Sequence, residues 1–351
     1  MATTDGFVAP ADAPALLAAA VGGDAEAFQL LTAPHRRELL VHCYRMLGSV
    51  DDAEDAVQEA MLKAWRRLAG FQGRSSLRAW LYRIATNTCL DALDYRARRV
   101  LPTAIADPAD PRIPPEPDDP ELPWLQPYPD ALLDVTDPDP RADPAAVVVR
   151  REHIELAFIA AIQYLAPRQR AVLVLRDVLG WSAADTAAIL EVSAASVNSA
   201  LQQARRGLDA RLPGSGDQTP PADQIELARK YARAWHAADL AALVALLRAD
   251  AQMAMPPSRS WYDGSDNIEV YLRKLFGSAL GRSLRLVPTA ANRQPALAVY
   301  APADREPDGY QPFALMVLTI DNGLICAVTG FVDPSLFPRF GLPPRLAATD
   351  H

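Results

Sequence analysis

Residues 101–145 hold thirteen prolines and eleven acidic side chains, opposed only by Arg112 and Arg141. No helix interior or central strand survives such a run, because each proline fixes φ and removes a backbone donor. High charge and scattered apolar residues also deny the segment a core of its own. The chain must therefore fold on both sides of a joint. Residues 101–145 are expected as an extended linker with one short helical turn near Asp130–Asp134. At roughly 3.1 Å per residue, such a linker reaches on the order of 140 Å.

The joint also locates the charge. The 351 residues carry a net −8, which by itself argues against a nucleic-acid partner. Counted by segment, 24–100 has twelve basic and ten acidic residues and 146–213 has eight and six, while 101–145 alone is −9. Two mildly basic blocks flank one acidic joint, so nucleic-acid binding is not excluded. Cys43, Cys89 and Cys326 are far apart and form no CxxC. Neither a disulfide framework nor a metal site is expected, no cofactor is implied, and a reducing cytoplasm fits. There is no run of eighteen apolar residues and no basic head at the start, so neither a membrane span nor a secretory signal is expected.

Residues 24–100 carry helical periodicity throughout. In "DAEDAVQEAMLKAWRRL" apolar side chains recur at Ala53, Ala56, Val57, Ala60, Met61, Ala64, Trp65 and Leu68, one face of a long amphipathic helix. A loop over Gly73–Arg78 leads to a second helix closing on Arg96, Arg98 and Arg99, where positive charge suits the helix end. Residues 146–213 return to helix. Their end, "GWSAADTAAILEVSAASVNSALQQARRGLDARL", divides in two. Ser182 with Asp185 begins one helix as a capping box, Glu191-Val192 turns the chain, and Ser193 caps a second helix. The inner side of that helix is Val197, Leu201, Ala204 and Leu208. This is helix-turn-helix spacing, although any helical hairpin shares the pattern.

After "PGSGDQTPPAD" (213–223) the pattern changes. A helix is expected over 224–248, then strands in "ALAVYAP" and "FALMVLTIDNGLICAVTGFVD", with Asn322-Gly323 turning a hairpin. This block is α+β, an antiparallel sheet curling over helices.

Together, "DAEDAVQEAMLKAW", "FQGRSSLRAWLYRIATNTCLD" and "LAPRQRAVLVLRDVLGWSAADTAAILEVSAASVNSALQQARRGL" resemble, in content and order, extracytoplasmic-function (ECF) sigma factors of the sigma-70 family. The resemblance covers about 145 of the 351 residues. Residues 222–343 are similar to SnoaL-like, cone-shaped domains through "MAMPPSRSWYDG", "NRQPALAVY" and "FVDPSLFPRFGLP". The implied fold is multidomain: an all-α sigma domain 2 (24–100), the acidic Pro-rich linker (101–145), an all-α sigma domain 4 with the helix-turn-helix (146–213), and an α+β SnoaL-like domain (222–343). The implied partners are core RNA polymerase and promoter DNA, duplex at −35 and partly single-stranded at −10. An anti-sigma factor is a further partner that the resemblance allows. No membrane partner is implied.

The resemblance assigns roles to particular residues. On the long helix, Asp55, Gln58, Glu59 and Leu62 form a stripe away from the apolar face, matching positions that contact a basic coiled coil of the polymerase. Arg74, Asn87, Asp91, Arg96, Arg98 and Arg99 match the part that grips the −10 element, with an amide for a base edge and guanidiniums for phosphates. Trp80, Tyr82 and Ile84 have the spacing of a packed helix. For the −35 element, Arg168, Ser196, Asn198, Ser199, Gln202, Gln203 and Arg205 face outward, with Arg206 and Arg170 as further backbone contacts. Asn and Gln suit adenine, and the lack of arginine at Asn198 and Gln202 implies less guanine readout. Relatives thread the inter-domain joint through the polymerase, where nine net negative charges would imitate RNA electrostatically. Trp124 and Tyr128 are its expected anchors, in polymerase or against the C-terminal domain.

The SnoaL-like block leaves alternatives open. A runner-up for the whole chain is a SnoaL-like enzyme or small-ligand sensor fused to a DNA-binding regulator. Enzymatic work needs paired acid and base groups, but nothing in the spacing joins His236 to Asp239, Asp263 or Asp333. Met253, Met255, Trp261, Tyr262 and Phe313 are the candidate lining of a ligand pocket. A regulatory role is favoured, through docking of an apolar tail patch, Leu336, Phe337, Phe340 and Leu342, on the sigma domains or polymerase.

Overall fold

A computed structural model describes residues 13–73, 75–133, 154–212, 221–303 and 309–347. Eight helices precede the C-terminal block among these residues: α1 (Ala13–Val21), α2 (Ala25–Leu47), α3 (Val50–Arg67), α4 (Leu77–Tyr95), α5 (Leu156–Ile162), α6 (Pro167–Leu173), α7 (Ala183–Leu190) and α8 (Ala194–Asp209). The described residues fall into two compact units. The first holds those up to Ala97, with Leu133 and Leu165–Arg206; the second holds Arg98–Leu132, the described part of 138–164, and those from Gly207 onward.

In the first unit, α2, α3 and α4 pack together, and each starts on a side-chain cap. The Asp24 carboxylate accepts the Glu26 and Ala27 N–H groups, Ser49 Oγ that of Asp52, and Ser76 Oγ that of Ala79. These caps satisfy donors that have no partner inside the helix. Gly48, at φ 72°, ends α2 in the left-handed region that glycine adopts without strain. The face of α3 read from sequence is buried from Ala53 to Ala64, and Trp65 meets Phe28 edge-on at 5.1 Å. After α6 the chain winds once as a π-helix over Val174–Val178, then enters the helix-turn-helix. Glu191, at φ 55° and ψ 43°, makes the turn, and Ser193 Oγ accepts the Ser196 N–H at 3.1 Å to cap α8.

The second unit adds α9 (Pro221–His236), α10 (Leu240–Ala245), α11 (Ser265–Gly277) and α12 (Ala279–Ser283). Its strands are β1 (Leu247–Ala254), β2 (Trp261–Asp263), β3 (Arg285–Ala291), β4 (Gln294–Pro302), β5 (Gly309–Asp321), β6 (Leu324–Phe331) and β7 (Leu346–Ala347). They form one sheet in the order β2-β1-β6-β5-β4-β3, with β7 on β5 and only the β1–β6 pair parallel. Asn322 (φ 51°) and Gly323 (φ 74°) turn the β5–β6 hairpin as the dipeptide predicts. The expected helix over 224–248 is corrected. It ends at His236, Ala238 takes φ 50°, Asp239 caps α10 through the Ala242 N–H at 3.0 Å, and Leu247 already begins β1. An alanine-rich run hid an N-cap aspartate and the start of a strand.

Helices α9 to α11 and one face of the sheet share a core of Tyr231, Trp235, Leu243, Met253, Tyr262, Ile268 and Leu272. The linker, expected as an extended joint anchored by Trp124 and Tyr128 in polymerase or against the C-terminal domain, is a strap on this domain, with Tyr128 paired to Asn292. Ala109 donates to Trp261 O, Asp119 to Pro257 O and Glu116 to Ser260 Oγ, at 2.8, 3.0 and 2.8 Å. Farther along, Pro129 bridges to Ala291 at the end of β3, so the strap reaches from the β2 edge of the sheet to the β3 edge. The short turn expected near Asp130 is a single 3₁₀ turn, Asp130–Leu132. The C-terminal apolar patch is also not free: Leu336 and Phe337 are buried, and Phe337 meets Tyr300 edge-on at 5.0 Å.

Candidate polymerase and promoter interfaces

Helix α3 divides cleanly into two faces. Asp55, Gln58, Glu59 and Leu62 all stay exposed at i, i+3, i+4 and i+7, with Leu62 at 46%. An exposed leucine ringed by carboxylates suits a basic partner with an apolar centre. Lys63 lies at its margin, 3.8 Å from Glu59 and 3.4 Å from Asp91 on α4.

The −10 residues are spread over different environments. Arg74 lies outside the described residues. Asn87 is half-buried on α4 and Asp91 is exposed. Arg96 is paired with Asp52. In the second unit, Arg98 lies over the Tyr164 ring at 4.2 Å and Arg99 donates to Trp124 O at 3.2 Å. Each of these three arginines, expected on phosphates, is thus engaged by the protein itself. Trp80, Tyr82 and Ile84 are buried, in keeping with helix packing.

On the −35 side, Arg168, Ser196, Asn198, Ser199, Gln202, Gln203 and Arg205 are exposed. Gln203 accepts from Gln169 at 2.8 Å, and Arg205 is held by both carboxylate oxygens of Asp177 at 2.8 and 2.7 Å. That fork ties Arg205, and with it α8, to the π-turn over Val174–Val178. Arg170 is corrected: it is 2% exposed and donates to the Met46 and Leu165 carbonyls, so it ties α6 to the end of α2 instead of facing DNA.

The sequence did not disclose one cluster. Arg78 at the start of α4 lies 5.0 Å from the Tyr82 ring centroid and 5.1 Å from that of Trp181, which just precedes α7. Tyr82 and Trp181 are 5.4 Å apart, and Arg83 approaches Glu191 of the turn at 3.8 Å. Burial works to raise the Glu38 carboxyl, but bonds from His35 and Arg78 outweigh it and hold the group below its ordinary range. Helix α4, the candidate −10 helix, is therefore packed directly against α7 of the helix-turn-helix. A tryptophan beside the Ser182 cap was the available signal.

In the C-terminal domain, the five residues proposed as one pocket do not share a face. Tyr262 pairs with Met253 and joins the core under the helices, with Met255 and Phe313 packed against it. Trp261, one residue earlier, points to the other face, where its Nε1 donates to Ala106 O at 2.8 Å. His236 Nε2 accepts the Leu286 N–H, Asp239 and Asp333 cap turns, and Asp263 is 3.4 Å from Gln252. No described group of His, Cys, Asp and Glu could hold a metal.

Residues 31–99 match Sigma-70 region 2, and residues 155–208 match Sigma-70, region 4. The ECF RNA polymerase sigma factor SigG of Mycobacterium tuberculosis (strain H37Rv) is 46% identical over 326 residues, covering 91% of this chain and 85% of that protein. The chain belongs to the ECF sigma factors. SigJ of the same organism is 28% identical over 326 residues, 89% of this chain and 94% of that protein. The crystal structure of SigJ has the same overall fold, with a TM-score of 0.57 at 23% identity over 88% of this chain and 97% of that one. The protein is a sigma factor that binds core polymerase and directs it to promoters, with two helical sigma domains and a SnoaL-like α+β domain. Among the described residues no helix is long and apolar enough to cross a membrane.

Proposed function

We propose that the C-terminal domain holds this sigma factor in a closed form and that initiation requires the form to open. The observation that carries this is the linker's main-chain pairing with the C-terminal domain, at Asp119 with Pro257 and at Tyr128 with Asn292. A joint that resembles one threaded through polymerase in relatives is here fastened to the protein's own sheet.

The first unit supports the same conclusion independently. The −10 and −35 elements lie about 25 base pairs apart, on the order of 85 Å at 3.4 Å per pair. With Tyr82 and Trp181 only 5.4 Å apart, α4 and α8 cannot engage both elements on one duplex. Opening would also release Arg98 and Arg99 toward phosphates. In the open form, Asp55, Gln58, Glu59 and Leu62 would meet polymerase. Arg74, Asn87, Asp91, Arg96, Arg98 and Arg99 would grip the −10 strand, while Arg168 and the outward face of α8 from Ser196 to Arg205 would read −35. His236 accepts a main-chain N–H and Asp239 and Asp333 act as caps, while Asp263 lies near Gln252 apart from them, so these candidates form no acid–base pair to support a catalytic role. The site of action is the cytoplasm, where polymerase and promoter are, and an anti-sigma factor would compete for the same surfaces.

The test is run-off transcription with purified core polymerase, comparing the wild-type chain with the full-length double variant Ser260→Ala, Asn292→Ala. Several-fold more specific transcript is expected when the strap is loosened. Equal or lower output from a folded variant would sink the closed-form reading.

A further inference from the structure

On the face of the sheet opposite helices α9 to α11, the second unit holds a half-open cavity of about 490 Å³. Its floor is formed by β1, β5 and β6 through alternating residues such as Ala254, Thr319 and Thr329, and its walls by Leu101 of the strap and Ala160 of α5. The volume is within the roughly 300–1,000 Å³ of small-molecule sites. Most of the lining is alanine and leucine, which creates room and offers an apolar surface.

One end is different. Tyr164 and Arg211 line it, and the Tyr164 hydroxyl is buried with no hydrogen-bond partner. Two guanidiniums lie against the same ring, Arg98 at 4.2 Å and Arg211 at 4.8 Å from its centroid. Neither arginine has a carboxylate partner among the described residues; Arg211 donates only to Gly207 O, at 3.3 Å. Both guanidiniums are exposed, so they give this end of the cavity a positive potential that favours an anionic group. The apolar chamber specifies the rest of the molecule.

We propose that this cavity binds a small carboxylate with an apolar body, its head at the end that carries Arg211, with Arg98 nearby on the same tyrosine ring, and its body over the alanines. The site is on the opposite side of the sheet from the helix-packed interior and is built from strap, α5 and sheet together. A bound molecule would fasten these three to one another and hold Arg98, a −10 residue, away from DNA. Binding itself does not depend on the closed-form reading and is measured without transcription.

The experiment is isothermal titration calorimetry of the full-length protein with decanoate, and with decanol as the uncharged control. Saturable one-to-one decanoate binding is expected, at least tenfold tighter than decanol. Ala160→Phe, which fills the chamber, and Arg211→Gln, which changes an exposed charge, should each weaken decanoate at least fivefold. Absence of saturable binding, equal affinity for decanol, or wild-type affinity in Arg211→Gln would overturn the proposal. Should Ala160→Phe fail to fold, Arg211→Gln and the decanol control decide it.

Discussion

Tyr128 and Asn292 hold each other by a reciprocal pair of hydrogen bonds: the Tyr128 N–H donates to Asn292 Oδ1 at 2.7 Å, and the Asn292 N–H donates to Tyr128 O at 2.9 Å. Both residues are fully buried. Asn292 sits at φ 56°, a conformation asparagine tolerates better than most residues, and its Nδ2 reaches Ile154 O at 2.7 Å. One side chain thus fastens the strap and the approach to α5 at once.

Asn292→Ala should therefore release the strap. It leaves buried donors and acceptors unpaired and places alanine in the left-handed region, at a cost of about 2–4 kcal/mol. Amide exchange in residues 101–133 should rise at least tenfold. Asn292→Asp keeps the acceptor for Tyr128 and should retain most of the protection there while losing it near Ile154. Equal loss in both variants would show that the reciprocal bond is not what fastens the strap.

The exposed stripe on α3 makes a separate prediction. Glu59→Arg reverses a charge that is 3.8 Å from Lys63 and otherwise faces solvent, so folding should change by less than about 1 kcal/mol. Affinity for core polymerase should fall at least tenfold, measured by fluorescence anisotropy, with run-off transcription falling alongside. Unchanged initiation would remove Asp55, Gln58, Glu59 and Leu62 from the contact surface.

Closure of the first unit rests on ring contacts that can be separated from hydrogen bonding. The indole Nε1 of Trp181 is buried without a partner, so Trp181→Phe loses no bond and keeps a ring against Tyr82 and Arg78. Trp181→Ala loses both contacts, together worth about 1–3 kcal/mol. Spin labels on α4 and α8 should report a longer, broader distance distribution for Trp181→Ala and a nearly native one for Trp181→Phe. Identical distributions in all three proteins would mean that this contact does not control closure.

What the sequence disclosed followed local rules. The α3 face, the Ser182 and Ser193 caps and the Asn322-Gly323 hairpin each depend on residues within a few positions of one another, so periodicity and capping chemistry are enough. The strap was legible only as one of two alternatives for Tyr128 and Trp124, and its pairing was hidden for the opposite reason. Its partners, Ser258, Ser260 and Asn292, lie more than a hundred residues away, and main-chain pairing leaves no pattern in side-chain identity. Proline-rich composition correctly excluded a core inside 101–145 but said nothing about borrowing one. Likewise, Met253 and Tyr262 were placed with Trp261 because all three are bulky, whereas the strand's two-residue period sends Trp261 to the opposite face. Arg170 looked like a phosphate contact until burial showed where its guanidinium goes.

Acid should destabilise the first unit through His42. Burial, with a smaller contribution from the Arg45 charge, pushes its imidazole down to about 3 from an ordinary 6.5. The neutral ring interacts with Thr86 Oγ1 at 2.9 Å across α2 and α4. A base whose folded value is depressed binds fewer protons folded than unfolded between those two values, so stability is full above about pH 6.5 and falls as pH drops toward 3. At pH 5 the loss from this group is about 2 kcal/mol. Urea unfolding followed by the tryptophan fluorescence of the first unit should show that decrease between pH 7 and pH 5. His42→Gln should be less stable at pH 7, because the packing is imperfect, yet should lose about 2 kcal/mol less over the same pH interval. A variant with the wild-type pH slope would mean that the acid sensitivity comes from other groups.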